Sequence, residues 1–96
     1  MDNQNSNSYT KNSKNDIELN VYPNPTRGKF RLILNNKNLN KIEIINSIGK
    51  VVYKKKQLDK NTKKMRIDLS NNQNGIYLIK GSVNGKIITK NLLLLK

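Results

Sequence analysis

Short runs in which apolar and polar side chains alternate constrain this chain more than any other feature of its sequence. A period of two places alternate side chains on opposite faces of a β-strand, whereas an amphipathic helix repeats about every 3.6 residues. Seven segments, most of them alternating in this way, are predicted as strands, and they cover residues 17–21, 29–34, 41–48, 51–53, 65–69, 76–83 and 86–96. Because the runs are short and no segment has a long helical period, the sequence predicts an all-β fold, a seven-stranded antiparallel Ig-like β-sandwich.

Turn residues separate these runs where a sandwich needs its chain reversals. Pro23 and Pro25 each lack a backbone donor, and Gly28 can adopt the positive φ that leads the chain into the next strand. A tight turn is predicted at 47–50. Asn84-Gly85 predicts a type I′ hairpin turn, because that turn needs positive φ at both central residues.

The middle of the chain carries two further expectations. Ile42, Ile44 and Ile48 are expected on one side of the third strand. The lysine run 54–56 and the segment through Lys64 are interpreted as a polar, basic connection. A solvated loop is the simpler interpretation of that connection, and a contact with anionic lipid or glycan is the alternative.

The first sixteen residues differ in composition from the rest of the chain. Residues 2–16 contain one aromatic and no aliphatic side chain, so they bury too little apolar surface to offset the entropy of ordering. We therefore predict a disordered linker at 1–16 and one folded domain at 17–96. The start also lacks the basic and apolar pattern of a secretory signal, so an export signal is expected on a parent protein.

The net charge of +13 suggests an anionic partner such as nucleic acid, a membrane surface or a glycan. Sixteen of the 19 basic residues are lysine, whereas arginine is the residue that usually reads bases and grips phosphate. The five aromatic residues do not cluster with the lysines. The charge therefore argues weakly for specific recognition, and no nucleic-acid partner is predicted.

The sequence contains no set of residues typical of a catalytic site. It has no cysteine and no histidine, which removes the thiolate ligands, the commonest general base and the commonest metal ligand. The six acidic residues are scattered and form no pair for acid–base work or calcium binding. No enzyme activity, metal site or cofactor is predicted.

Four motifs in a fixed order carry a resemblance to a known family. They are YPNPTRGKF at 22–30, IINSIGKVV at 44–52, IDLS at 67–70 with NGIYLIK at 74–80, and VNGK at 83–86 followed by Thr89-Lys90. Their order and spacing resemble the type A C-terminal sorting domains of the type IX secretion system in Bacteroidetes, over about residues 17–96. Asn91 stands where many members carry a second lysine.

The resemblance implies a transport function rather than a catalytic one. Such domains form the C-terminus of enzymes and adhesins that reach the periplasm by a cleaved N-terminal signal, and outer-membrane secretion components recognise them. A sortase-like cysteine peptidase commonly removes the domain and links the cargo to an anionic lipopolysaccharide. The implied location is the periplasm in transit, then the cell surface or the medium, with the cut expected in or near residues 2–16.

Twelve residues are candidates for recognition by that machinery: Pro23, Asn24, Pro25, Gly28, Gly75, Tyr77, Lys90, Leu92, Leu93, Leu94, Leu95 and Lys96. The prolines and glycines also have a structural interpretation as a rigid turn and strand start, and Tyr77 as a core ring with its hydroxyl at a wet edge. The leucine run is different. One face of a two-layer sandwich normally meets water, so four consecutive leucines predict a docking surface or an exposed, aggregation-prone edge.

The alternative function is a basic Ig-like module for adhesion, glycan binding or nucleic-acid binding. A nucleic-acid site would need basic residues and interleaved aromatics on one sheet face. A glycan site would need a platform of exposed aromatics. Few of the five aromatic residues remain for such a platform once the core is filled.

Overall fold

The protein is a two-layer β-sandwich in a computed structural model that describes residues 18–34, 39–56 and 64–96. Its strands are β1 (Leu19–Tyr22), β2 (Lys29–Leu34), β3 (Leu39–Ile45), β4 (Val51–Lys56), β5 (Lys64–Asp68), β6 (Gly75–Val83) and β7 (Lys86–Leu94). One antiparallel sheet has the order β1-β2-β5 and the other has the order β4-β3-β6-β7. The predicted all-β sandwich is confirmed. The predicted linker at 1–16 lies outside the described residues.

The core between the sheets is built mainly from alternate side chains of the strands other than β4. Along β2, Phe30, Leu32 and Leu34 are buried while the residues between them are exposed. The largest fully buried side chains are Leu32, Ile42, Ile44, Leu69, Ile79, Val83, Leu92 and Leu94. Burying one such side chain contributes about 1.5–3 kcal/mol, and a slip of one residue would turn a strand's whole apolar set outward. The alternation therefore fixes the register.

No helix long and apolar enough to span a membrane occurs in the part that the structure describes.

The hairpin between β6 and β7 is the longest pairing in the fold. Nine pairs join the two strands, from Gly75 opposite Leu94 to Val83 opposite Lys86. The turn between them has φ of 50° at Asn84 and 80° at Gly85. Positive φ at both central residues confirms the predicted hairpin turn.

The third strand ends earlier than its alternation predicts. It ends at Ile45, and Ile48 lies in the following turn with 84% of its surface exposed. The side-chain oxygen of Asn46 accepts hydrogen bonds from the backbone N–H groups of Ile48 (3.1 Å) and Lys50 (2.8 Å). The prediction that Ile48 shares a face with Ile42 and Ile44 is wrong, because a side chain that binds nearby backbone amides favours a turn over a strand.

The lysine run also differs from its prediction as part of a connection. Lys54 to Lys56 continue β4, which is an edge strand of the four-stranded sheet. Glu43 lies directly opposite Lys54, and its carboxylate is 3.8 Å from the ammonium groups of both Lys54 and Lys41. Exposed lysines suit an edge strand, since they oppose pairing with another sheet edge.

Candidate functional site

Two segments far apart in the sequence meet along the edge of β7. The side-chain oxygen of Asn24 accepts a hydrogen bond from the Leu93 N–H (3.0 Å), and its Nδ2 donates to the Asn91 carbonyl (2.9 Å). A carboxamide carries the same donor and acceptor as a peptide group. Pro23 and Pro25 flank Asn24 after cis peptide bonds and have no N–H to donate. The asparagine side chain therefore supplies the strand pairing that its proline neighbours cannot.

Thr26 continues this pairing with its backbone. Its N–H donates to the Leu93 carbonyl (2.9 Å), and its own carbonyl accepts from the Leu95 N–H (2.8 Å), which makes a parallel bridge. The side chain is 1% exposed. Its hydroxyl donates to the Lys29 carbonyl (2.8 Å) and accepts from the Gly28 N–H (3.0 Å). Thr26 thus covers an otherwise open edge of β7 without leaving a buried polar atom unpaired.

Thr26 was not among the residues expected to matter. A hydroxyl two residues before a turn glycine is a typical partner for nearby backbone groups, and this local signal could have identified it. Its long-range pairing with β7 has no local signal, because the two partners are separated by most of the chain.

Gly28 fixes the same loop, Pro23 to Gly28, to the end of β5. Its φ is 146°, and its carbonyl accepts a hydrogen bond from the Leu69 N–H (2.8 Å). A Cβ at this position would lie 2.6 Å from the Ser70 hydroxyl oxygen and 2.9 Å from the Ser70 Cα. Both the backbone conformation and the close approach therefore require glycine.

Lys96 is bound to the loop between β5 and β6. Its N–H donates to the side-chain oxygen of Asn74 (2.9 Å), and its ammonium group donates to the carbonyls of Ser70 (3.0 Å) and Asn72. The Tyr77 ring is 4% exposed, and its hydroxyl donates to the Gln73 carbonyl. A tyrosine that bonds back to a carbonyl a few residues upstream is typical of Ig-like corners.

Asp68 stabilises the start of that loop. Its carboxylate accepts hydrogen bonds from the hydroxyl and the N–H of Ser70. These two bonds, and to a smaller degree the charge of Lys29, hold the pKa of Asp68 below its ordinary value. The loop between β5 and β6 is thus held at one end by Asp68 and further along by the C-terminal lysine.

The leucine run alternates between the core and the outer surface. Leu92 and Leu94 are fully buried, Leu93 is half-buried, and Leu95 is 49% exposed. Leu93 lies opposite Ile76, which is 60% exposed on the outer face of the four-stranded sheet. Leu78, two residues along β6, lies opposite Ile45. We call Ile45, Ile76, Leu78 and Leu93 the outer strip. Leu95 follows it at the end of the chain, and so half of the leucine run meets solvent.

Eleven of the twelve candidate residues lie in the Pro23–Gly28 loop, at the end of the chain or opposite that end in β6, and Lys90 lies on β7 next to Asn91. Pro23, Asn24, Pro25 and Gly28 form the loop on the edge of β7. Gly75 and Tyr77 lie opposite Leu94 and Leu92 in the register. Lys90 is exposed opposite Ile79, farther along β7. No group of acidic residues that could hold a metal ion is present in 18–34, 39–56 and 64–96.

Residues 20–95 match the family described as the secretion system C-terminal sorting domain. The ulvan lyase NLR42 of Nonlabens ulvanivorans is 34% identical over 73 residues, which cover 75% of this chain and 13% of that enzyme. The chain therefore spans only a small part of the length of this relative. The family consists of sorting signals, and the match confirms the resemblance carried by the motifs. The chain belongs to the C-terminal sorting domain family of the type IX secretion system.

Proposed function

We propose that this domain directs a cargo protein, carried before it in a parent chain, across the outer membrane through the type IX secretion system. Family membership supports the role of a secretion signal on a secreted or cell-surface protein. The cargo first reaches the periplasm by its own export signal, and outer-membrane components of the system then bind the domain. The lyase relative contains a similar segment, which supports an enzyme as one kind of cargo.

The observation that carries the proposal is the joining of the Pro23–Gly28 loop to the last strand. Asn24 and Thr26 together make four hydrogen bonds to the backbone of residues 91–95. A binding partner would thus meet the loop and the end of β7 as one surface. Beside them lie the outer strip and Leu95, which are apolar and accessible, as a docking surface requires.

We further propose that a sortase-like peptidase removes the domain after transport. A peptidase needs an extended segment that it can admit. Residues 2–16, with no aliphatic side chain, are the part of the sequence best suited to the cut. In this scheme the chain is the substrate of the peptidase, and the cargo is then released or linked to anionic lipopolysaccharide.

The aromatic residues weigh against the alternative of a glycan or nucleic-acid module. Phe30 and Tyr77 are 3% and 4% exposed, and Tyr53 is partly buried against the core. Burial raises the pKa of Tyr53. Tyr22, at 60% exposure, is the one large open ring among the described residues. A single ring gives no platform for stacking successive bases or sugars.

The test is a secretion assay in a Bacteroidetes host that secretes its own tagged proteins. The whole chain is fused to a fluorescent reporter that carries a periplasmic export signal. We compare Leu95→Ser with Ile87→Ser, because these side chains are 49% and 56% exposed, and Leu95 directly follows the strand that contains Ile87. The parent fusion should appear outside the cell. Leu95→Ser should reduce secretion several-fold, and Ile87→Ser should leave it unchanged.

Melting curves of the two variants establish that each remains folded. Retention of the parent reporter in the periplasm would contradict the sorting function itself. Equal secretion of both folded variants would instead leave that function in place and move the recognition surface away from Leu95. The loop Pro23 to Gly28 would then be the next surface to test.

A further inference from the structure

The three arginines of the chain gather at one sheet, although sixteen of its 19 basic residues are lysine. Arg31 on β2 and Arg66 on β5 are direct partners in the register and both are exposed. Arg27 lies in the loop before β2, beside Lys29 in a groove that Pro23 and Pro25 also line. The outer face of the three-stranded sheet therefore holds two guanidinium groups, which bind oxyanions by paired hydrogen bonds, and the loop before β2 adds a third arginine.

The pairing of Arg31 with Arg66 is unfavourable for the fold alone. Side chains directly opposite in an antiparallel pair have Cβ atoms about 4.5–5.5 Å apart, and like charges there destabilise the sheet. The carboxylate of Asp68, two residues along β5 from Arg66, accepts hydrogen bonds from Ser70. Tyr22, the register partner of Arg31 on β1, has its ring centre 5.8 Å from that guanidinium. The exposed guanidinium therefore makes a cation–π contact with this ring.

The charges of the neighbouring register pairs determine where on this face an anion is attracted. Lys29 lies opposite Asp68, so that pair is close to neutral. Lys64 lies opposite Ile33 on the other side of the arginines. Positive charge thus extends from the arginine pair toward Lys64. Residues two apart on a strand are separated by about 6.8 Å, which is also the spacing of alternate side chains in an extended peptide.

We propose that the Arg31–Arg66 pair is a binding site for an extended acidic segment of a protein partner. One carboxylate is held between the two guanidinium groups, and a second, two residues along the partner, faces Lys64. This site lies on the sheet opposite to the outer strip. It is therefore separate from Leu95, the side chain that the secretion assay tests, while Pro23 of the loop borders the groove of the two arginines.

Other occupants fit the face less well. A lipid surface needs apolar anchors, and on this face the exposed large apolar side chains are Tyr22 and Ile33, the latter only 36% exposed. A second copy of the chain would bring the same two arginines into opposition. A nucleic-acid strand carries a negative charge on every nucleotide. One of its phosphates would therefore lie near the carboxylate of Asp68, which would repel it.

The experiment measures binding of fluorescently labelled hexaglutamate to the whole chain at low ionic strength, where surface charges are least screened. Arg31→Gln/Arg66→Gln is compared with Lys55→Gln/Lys86→Gln, which removes the same charge from exposed positions on the other sheet. The arginine variant should lose roughly tenfold in affinity or more, since hydrogen bonds to charged groups are the strong ones. The lysine variant should lose less than about threefold.

Arg31→Lys/Arg66→Lys keeps the charge and should still lose several-fold, because lysine has no planar fork. Melting temperatures verify the fold, and Arg31→Gln/Arg66→Gln should melt no lower than the parent because the repulsion is relieved. Equal losses of affinity for hexaglutamate in Arg31→Gln/Arg66→Gln and Lys55→Gln/Lys86→Gln would overturn the proposal. An Arg31→Lys/Arg66→Lys variant that binds hexaglutamate as tightly as the parent would also overturn it. So would tighter binding of the parent to a thymidine hexanucleotide or to phosphatidylglycerol vesicles than to hexaglutamate.

Discussion

Removal of the Asn24 side chain should break two hydrogen bonds at the β7 edge and leave the two backbone bonds of Thr26 in place. In Asn24→Ala the Leu93 N–H loses its acceptor and the Asn91 carbonyl loses its donor. A hydrogen bond contributes about 0.5–1.5 kcal/mol net, and water can replace both exposed bonds, so we expect a total loss of about 1 kcal/mol. For a domain of this size, that loss lowers the melting temperature by about 4–8 °C.

The distinguishing measurement is amide hydrogen exchange at two neighbouring positions. The Leu93 amide donates to Asn24, whereas the Leu95 amide donates to the Thr26 carbonyl. In the variant, exchange at Leu93 should speed up markedly more than exchange at Leu95, because local opening then needs one bond fewer. Asn91→Ala is the matched control. It also removes an exposed carboxamide from this edge, but it keeps the carbonyl that Asn24 binds.

Three results would refute this reasoning. Unchanged protection of Leu93 in Asn24→Ala would mean that the side-chain bond does not hold the strand edge. Equal acceleration at Leu95 would mean that the loop detaches as a unit, and that Thr26 depends on Asn24 for its position. Equally faster exchange at Leu93 in Asn91→Ala would mean that the loss of any exposed carboxamide from this edge is enough, and that the hydrogen bonds of Asn24 are not the cause.

Three further predictions concern the same end of the sandwich. Leu94→Ala, at a fully buried position, should cost about 2–5 kcal/mol in the free energy of unfolding, while Leu95→Ala should cost less than about 1 kcal/mol, as measured by chemical denaturation. Gly28→Ala should be less stable than Gly75→Ala, although the two glycines have similar φ values of 146° and 151°. Only the Cβ added at position 28 would lie close to backbone, 2.9 Å from the Cα of Ser70, so equal melting temperatures of the two variants would contradict this prediction. Folding holds the pKa of Asp68 low, so its stabilising effect is present above the unfolded pKa and is lost as pH falls through the folded pKa. The melting-temperature difference between the parent and Asp68→Asn should therefore be largest near neutral pH and disappear in acid, and a difference independent of pH would contradict the assignment.

The fold was accessible from the sequence because strand alternation is a local property. Phe30, Leu32 and Leu34 alternate in the printed sequence as they do in the sheet. The Asn84-Gly85 turn needs no information beyond its two residues. The same locality explains the error at Ile48, since Asn46 ends the strand by a side-chain bond that hydrophobic alternation does not register.

The candidate site was accessible only in part. The proline loop and the leucine run could be found separately by composition, but their hydrogen bonds join residues 67 and 69 positions apart. The bonds of Lys96 to the loop between β5 and β6 span 22 to 26 positions. No periodicity reports a pairing of this kind. The lysines of β4 were misplaced for a related reason, because Glu43, the partner of Lys54, lies on another strand.

These long-range bonds bear on what a sorting signal of this family can be. The surface formed by the Pro23–Gly28 loop and β7 exists only when the ends of the folded domain have come together, since neither segment can hold the other's geometry alone. An isolated C-terminal peptide would contain Leu92 to Lys96 but would lack Asn24 and Thr26, which hold residues 91–95 in place. It would also present all four leucines to solvent instead of burying Leu92 and Leu94. Under the proposed function, recognition therefore depends on the folded domain, because the chemical groups of the signal are arranged by contacts that its own sequence does not supply.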